Sequence, residues 1–132
     1  MKEMTAKTKN GVTHPRYRST WAEIDLKAIA HNYKQVKRLV GKEIKVMAVV
    51  KANAYGHGTV EVSKVLESLR VDYLGVATMD EAVRLRDHGI KAPILVLGSV
   101  LPDEVRAAAE KDITLTLASD ELLNAIRTEV RG

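Results

Sequence analysis

The sequence contains no cysteine, so disulfide bonds and thiolate metal sites are excluded from this chain. That absence is compatible with a cytoplasmic protein, and we expect that compartment. Histidine occurs at only four positions, whose spacing does not resemble that of metal ligands, so we predict no bound metal. The four are His14, His31, His57 and His88.

Long apolar runs are also absent. The longest extends from Val46 to Val50, far short of the roughly 20 residues that a transmembrane helix needs. The polar amino terminus lacks the apolar core of a secretory signal. We therefore expect no membrane partner.

Aromatic residues make up only 4% of the chain, which leaves little for stacking on nucleic-acid bases. The net charge of +4 comes entirely from residues 1–20, which hold five basic side chains and one acidic one. The remaining 112 residues hold 16 basic and 16 acidic side chains. Because a phosphate backbone needs a basic face on the folded body, we predict no nucleic-acid partner.

Residues 1–19 show no hydrophobic periodicity, and we predict a flexible basic leader there. From residue 20 onward, short apolar runs alternate with amphipathic segments, which indicates an α/β domain with a parallel sheet. A short strand over 21–25 is predicted before the first helix. That helix begins at an Asp25 cap and ends at Gly41, where we expect a left-handed stop.

Four βα units follow the first helix. Their strands are predicted over 45–50, 73–77, 94–97 and 113–117. The first strand is apolar on both faces, as expected where helices or a barrel interior cover each side. The helices are predicted over 59–70, from a Thr78–Glu81 capping box to Gly89, over about 102–111, and from a Ser119 cap onward. A doubly wound sheet and half of an eight-fold βα barrel both fit this pattern, and periodicity does not choose between them.

The segment after the first strand carries the clearest chemical signal, and it reads AVVKANAYGHG. Lys51 directly follows the buried strand and so lies at its carboxyl end, where active sites form in barrels and open α/β sheets. Glycines let the following backbone turn sharply and approach a ligand. The lysine is either the first solvated residue after a strand or a partly desolvated amine suited to Schiff-base chemistry.

Two other chemistries fail on particular residues. The Gly56-His57-Gly58 run begins like a dinucleotide fingerprint, but Glu61 occupies the third glycine position. A response regulator needs an acidic phosphoacceptor at a strand end, and none of the strands of the four βα units ends at an acidic residue.

The string VVKANAYGHG resembles, without a gap, the pyridoxal-phosphate attachment motif of alanine racemases. WAEIDLKAIAHNY, VATMDEA and PILVLG resemble that family's opening strand and helix and its next two strand regions. The resemblance implies a (β/α)8 TIM-type barrel of which this chain supplies about four βα units. Residues 20–132 would then be the amino-terminal half of the cofactor-binding barrel domain, without the rest of the barrel or the carboxyl-terminal β domain.

The resemblance also implies roles for three residues. Lys51 would bind pyridoxal 5'-phosphate as an aldimine and act as the catalytic base on one face of alanine, interconverting its L and D forms for D-alanine supply to peptidoglycan. Tyr55 would direct its hydroxyl to the cofactor phosphate, and Leu97 would pack near the pyridine ring. Taken alone, Tyr55 could instead be a solvated barrel-rim tyrosine, and Leu97 could equally be a core residue.

The resemblance further implies a homodimer in the full-length enzyme, because the family uses a tyrosine of the partner subunit on the second face of the substrate. Since that tyrosine is not in this chain, we expect the chain alone to be inactive. Half a barrel leaves two open strand edges and an uncovered apolar face, so we also expect self-association. Two alternatives stay open: a non-catalytic single-domain barrel that binds the same cofactor, and an α/β interaction module.

Overall fold

The computed structural model describes residues 5–7, 13–15 and 22–131. Within the predicted leader, β1 (Thr5–Lys7) and β2 (Thr13–Pro15) pair as antiparallel strands. The rest of the leader lies outside the described residues, and its flexibility stays a prediction.

The first helix, α1, spans Leu26–Val40. Asp25 caps it as predicted, and its Oδ1 accepts hydrogen bonds from the backbone N–H groups two and three residues later, at 2.8 and 3.2 Å. Gly41 ends the helix with φ of 84° and ψ of 175°, so the positive φ is present but the conformation is not the left-handed helical one that we expected. Residues 22–25 form no strand, so that prediction is wrong for its described part.

The four predicted strands are all present, each shortened at one or both ends: β3 (Met47–Val49), β4 (Tyr73–Val76), β5 (Ile94–Val96) and β6 (Thr114–Leu115). The helical segments after α1 are α2 (Lys51–Tyr55), α3 (Thr59–Ser68), α4 (Met79–Asp87), α5 (Val105–Glu110) and α6 (Asp120–Arg131). A 3-10 turn at Pro102–Glu104 leads into α5. None of the helices in the described ranges is long and apolar enough to cross a membrane.

The strand order decides between the two architectures. The sheet is parallel throughout, in the order β3-β4-β5-β6, so each strand lies beside the one that precedes it in the chain. A doubly wound sheet reverses its strand order at a switch point, whereas a barrel adds strands in sequence. The described sheet contains no reversal and therefore has the topology of a barrel segment.

The two faces of the sheet are covered unequally. The side chains under the helices are fully buried, with Leu74 and Ile94 both 0% exposed. On the other face, Met47 is 39% and Val49 37% exposed. The expectation that the first strand is covered on both sides is therefore wrong, because successive side chains of a strand point to opposite faces and the helices cover only one of them.

Polar contacts hold the amino edge of the sheet, where stability rather than catalysis is expected. Arg86 donates hydrogen bonds to four backbone carbonyls in the two loops that precede β5 and β6. Lys37 of α1 forms an ion pair of 2.9 Å with Asp72, whose carboxylate also accepts a hydrogen bond of 2.7 Å from the Val46 N–H. The Lys37 hydrogen bond, followed by that of Val46, lowers the pKa of Asp72.

Candidate active site

Lys51 lies where the sequence predicted, at the carboxyl end of β3. Val50, which separates Lys51 from β3, is 2% exposed. Its N–H donates to the Gly75 carbonyl at 2.8 Å, so the hydrogen bonding between β3 and β4 continues one residue beyond β3. The Lys51 side chain is half-buried. Within residues 22–129, no carboxylate forms an ion pair with it. Its Nζ is therefore free of a salt bridge that would compete with a reaction at the amine.

The chain after Lys51 forms a left-handed helical turn made of ordinary L-residues. Ala52, Asn53 and Ala54 have φ/ψ of 51°/50°, 55°/43° and 51°/47°, and Tyr55 has φ of 52°. This conformation costs about 1–2 kcal/mol per L-residue, so four in succession store roughly 4–8 kcal/mol. Such strain persists only where surrounding contacts impose it, and it is concentrated at functional sites. The glycine-led turn that we expected is only partly right, since the strained residues precede Gly56.

Hydrogen bonds on both sides of the left-handed turn fix its path. The buried Thr59 hydroxyl donates to the Val50 carbonyl at 2.7 Å, and the Ala54 N–H donates to the same carbonyl at 2.9 Å. The Asn53 Oδ1 accepts from the Thr59 N–H at 3.1 Å. The His57 Nδ1 donates to the Ala54 carbonyl at 2.9 Å. The turn is therefore tied to the end of β3 and to the start of α3.

Glu81 connects the turn to the neighbouring strand. Its Oε1 accepts a hydrogen bond of 2.6 Å from the Ala52 N–H, and its Oε2 accepts one of 2.7 Å from the Ala77 N–H. The predicted capping box is thus half wrong. The Thr78 hydroxyl does accept from the Glu81 N–H, at 3.4 Å, but the Glu81 carboxylate binds the ends of two strands instead of the Thr78 N–H.

Tyr55 closes the left-handed turn and is 62% exposed. Its side chain is accessible from the carboxyl edge of the sheet.

Leu97 follows β5 and lies on the open face of the sheet, 38% exposed, rather than under the helices. A Cβ built at Gly75 would lie 3.3 Å from the Leu97 Cδ1 and 3.2 Å from the Met47 Sδ. The missing side chain at Gly75 therefore lets Met47 and Leu97 approach each other across β4. Together with Val49 they form an apolar floor that is open to a ligand.

The residues at this edge suit the chemistry of pyridoxal 5'-phosphate. A primary amine without an ion-pair partner can react with an aldehyde, a phenol hydroxyl can donate to a phosphate, and an apolar floor can receive an aromatic ring. Lys51 and Tyr55 supply the first two groups after the end of β3, and the floor joins Leu97, directly after β5, to Met47, the first residue of β3.

The comparison with known families decides the assignment. Residues 24–132 match the family described as alanine racemase, N-terminal domain. The chain belongs to the alanine racemase family. It is 54% identical over 111 residues to alanine racemase 1 of Bacillus subtilis (strain 168), an alignment that covers 84% of this chain and 28% of that protein. It is 52% identical over 116 residues to the alanine racemase of Methanococcus maripaludis, an alignment that covers 88% of this chain and 30% of that protein. The chain thus spans about 30% of the length of these relatives.

Solved structures of alanine racemases superpose on the chain and confirm the barrel prediction. The alanine racemase of Clostridium difficile 630 matches with a TM-score of 0.81 and 41% identity, over 87% of this chain and 31% of that one. The Bacillus anthracis alanine racemase with bound L-Ala-P matches with a TM-score of 0.79 and 44% identity, over 84% of this chain and 29% of that one. A histidine racemase from Leuconostoc mesenteroides matches with a TM-score of 0.73 and 37% identity, over 81% of this chain and 28% of that one. The chain is therefore a segment of the family's TIM-type barrel.

Sequence reasoning missed part of this site. Met47 and Val49 could have been found, because alternate residues of the strand that ends before Lys51 share one face. Glu81 carried no such signal. It lies 30 positions from Lys51, and a glutamate three residues after a threonine fits an ordinary helix cap.

Proposed function

We propose that this chain supplies the cofactor-binding lysine of a racemase that interconverts L-alanine and D-alanine. The enzyme would be a cytoplasmic homodimer that supplies D-alanine for peptidoglycan, with residues 20–132 forming the amino-terminal half of its barrel. Family membership supports the proposal, as does the similarity to an alanine racemase solved with L-Ala-P. The observation that carries it is an amine without an ion-pair partner within residues 22–129, placed between the end of β3 and a strained turn at the carboxyl edge of the sheet.

Pyridoxal 5'-phosphate, when bound, supplies an aldehyde and a ring that accepts electrons as the α-proton of the substrate leaves. The Lys51 Nζ would hold that aldehyde and would take and return a proton on one face of the substrate. The Tyr55 hydroxyl would donate to the phosphate. Met47 and Leu97 would exclude water from the ring. The left-handed turn keeps the positions of Lys51 and Tyr55 fixed relative to each other.

Racemisation needs a proton carrier on each face of the substrate, and this site provides one lysine. We therefore expect the 132-residue chain by itself not to racemise alanine at a useful rate. The measurement is conversion of D-alanine to L-alanine by the purified chain with added pyridoxal 5'-phosphate. Clear conversion that disappears in Lys51→Ala would contradict this expectation.

A chimera tests the function in a complete enzyme. Residues 24–132 would replace the matching segment of the Bacillus subtilis alanine racemase 1, to which the chain is 54% identical. We expect the chimera to racemise alanine and Lys51→Ala to abolish the activity. Lys45→Ala, at an exposed lysine just before the same strand, should leave it intact. A folded, cofactor-loaded chimera that is inactive, or one that keeps its activity without Lys51, would refute the proposal.

A second candidate is a racemase for a different amino acid, which the similarity to the Leuconostoc mesenteroides histidine racemase favours. The two candidates share the role of Lys51 and differ in the side chain accepted. The same chimera, supplied with alanine and with histidine in parallel, separates them. Alanine should be the faster substrate under our proposal, and a preference for histidine would favour the second candidate.

A further inference from the structure

We propose that Glu81 is a positioning residue for Lys51, acting through the backbone amide that directly follows the lysine. The inference rests on the proposed function, because it takes the Lys51 amine as the reactive group. Glu81 does not contact Lys51 through its side chain in the hydrogen bonds described. It acts on the peptide that joins Lys51 to Ala52.

The carboxylate is matched to its two partners. Each oxygen accepts a hydrogen bond from one backbone N–H. Oε1 accepts from the Ala52 N–H at 2.6 Å, and Oε2 accepts from the Ala77 N–H at 2.7 Å. Such short distances are typical of hydrogen bonds to an ionised acceptor. Because both partners are donors, a group that only accepts is required, and an ionised carboxylate is such a group.

These contacts fix the backbone on either side of the site. Holding the Ala52 N–H restricts the orientation of the peptide at which Lys51 leaves β3 and enters the left-handed turn. The Ala77 carbonyl accepts from the Gly98 N–H at 3.2 Å, directly after Leu97. A Cβ at Gly98 would lie 2.4 Å from that carbonyl oxygen, so any residue larger than glycine would push the two backbones apart. Glu81 thus links the ends of three neighbouring strands.

The chain offers a matched control at the opposite edge of the sheet. The half-buried Glu67 accepts hydrogen bonds from the Lys91 and Ala92 N–H groups at 2.6 and 2.7 Å. Like Glu81 it is a carboxylate that accepts two backbone N–H groups, here through one oxygen, but it fixes the loop before β5 at the amino edge, away from Lys51. Removing its charge should therefore affect stability without affecting the reactivity of Lys51.

The experiment compares Glu81→Gln and Glu67→Gln in the full 132-residue chain. In Glu81→Gln the amide oxygen can accept one N–H, whereas the NH₂ group faces the second donor and loses that bond. In Glu67→Gln the charge is lost, but the oxygen that accepts both N–H groups can stay in place. Each protein is mixed with pyridoxal 5'-phosphate, reduced with borohydride after increasing times, and digested to measure the label on Lys51. Circular dichroism sets conditions of equal folded fraction. We expect Glu81→Gln to slow labelling of Lys51 roughly tenfold, as displacement of a reacting group does, and Glu67→Gln to leave it within about twofold of the parent.

Equal slowing in both variants would mean that Glu81 is only structural, and an unchanged rate in Glu81→Gln would refute the proposal directly. If Glu81→Gln does not fold, Glu81→Asp takes its place, because it keeps the charge but cannot span both N–H groups. If Lys51 of the parent is not labelled at all, the proposed function fails by itself. Hydrogen exchange at the Ala52 amide then tests the contact separately, with faster exchange in Glu81→Gln alone supporting it and unchanged exchange overturning it.

Discussion

At the level of single residues, Lys51 differs from two lysines at the amino edge of the sheet that form ion pairs. Lys37 pairs with Asp72 at 2.9 Å and Lys111 pairs with Asp87 at 2.8 Å, both at the amino edge. Lys51, at the carboxyl edge, forms no ion pair with a carboxylate of residues 22–129. Lys37 and Lys111 thus take part in holding the amino edge together, whereas the Lys51 amine has no such partner in this range and stays available for chemistry.

Asp72 makes the stability of the chain depend on pH. Because the folded state lowers its pKa, its contribution to the free energy of unfolding is present above the unfolded value of about 3.9 and is lost as pH falls through the lower folded value. We expect Asp72→Asn to unfold at lower urea than the parent at neutral pH. The two urea midpoints should converge below the folded pKa.

The control for Asp72 is Asp87→Asn. Asp87 pairs with Lys111, but its side chain is 56% exposed, and an exposed ion pair contributes little. Its urea midpoint should stay close to that of the parent across the same pH range. A gap between the parent and Asp72→Asn that is constant with pH would show that the carboxylate charge is not the cause.

Residues whose position follows from their neighbours in sequence could be predicted. The position of Lys51 at a strand end was predicted because it follows an apolar run and lies within the motif that it shares with the family. Glu81 could not be found, because its contacts with Ala52 and Ala77 depend on how two strand ends lie in space.

At the level of elements, the N-cap residues and the strand periodicity predicted where most of the helices and strands lie. The Asp25 and Ser119 caps are both present, with Ser119 accepting from the Leu122 N–H at 3.1 Å. The strands are shorter than predicted. The left-handed turn after Lys51 was not predicted, because alanine, asparagine and tyrosine all favour negative φ, and only tertiary contacts impose the positive values.

The strain in that turn can be measured by a glycine substitution. Ala52 is exposed and has φ of 51°, a conformation that glycine adopts without the Cβ penalty. We expect Ala52→Gly to leave the free energy of unfolding within about 0.5 kcal/mol of the parent or to raise it, because the relief of strain offsets the added backbone entropy.

The control for the strained turn is Ala28→Gly, at an exposed alanine of the right-handed helix α1. Without strain to relieve, this change should lower the free energy of unfolding by about 0.5–1 kcal/mol. Urea titrations followed by circular dichroism give both values. A larger loss for Ala52→Gly than for Ala28→Gly would contradict a strained turn.

At the level of the whole molecule, hydrophobic periodicity predicted the number of βα units but left two architectures open, and it was the resemblance to alanine racemases that implied the barrel. Hydrophobic periodicity reports which residues of a strand are covered, and it does not report which strand lies beside which. The strand order β3-β4-β5-β6 and the similarity to solved alanine racemases decided for the barrel. The face that would line the barrel interior is apolar and partly exposed, at Met47, Val49 and Leu97.

That apolar face should cause the chain to self-associate, as the sequence also predicted. Exposed contiguous apolar surface favours association, and β3 and β6 have open edges within the described sheet. We expect sedimentation velocity to show oligomers of the parent that grow with concentration. Met47→Lys, which places a charge on the open face, should shift the chain toward monomer.

Ala28→Lys is the control for self-association, because it adds the same charge on the exposed surface of α1. It should leave the distribution of species unchanged. A parent chain that sediments as a monomer at every concentration would rule out association through this face.

The central claim is that the Lys51 Nζ is the group that bonds to pyridoxal 5'-phosphate, and peptide mapping after borohydride reduction tests it most directly. The purified chain is incubated with the cofactor at low molar excess, reduced, digested and analysed by mass spectrometry. The account predicts that the label is concentrated on the peptide containing Lys51 and is lost from it in Lys51→Arg. Label spread evenly over exposed lysines such as Lys45 and Lys64, with none enriched at Lys51, would contradict it.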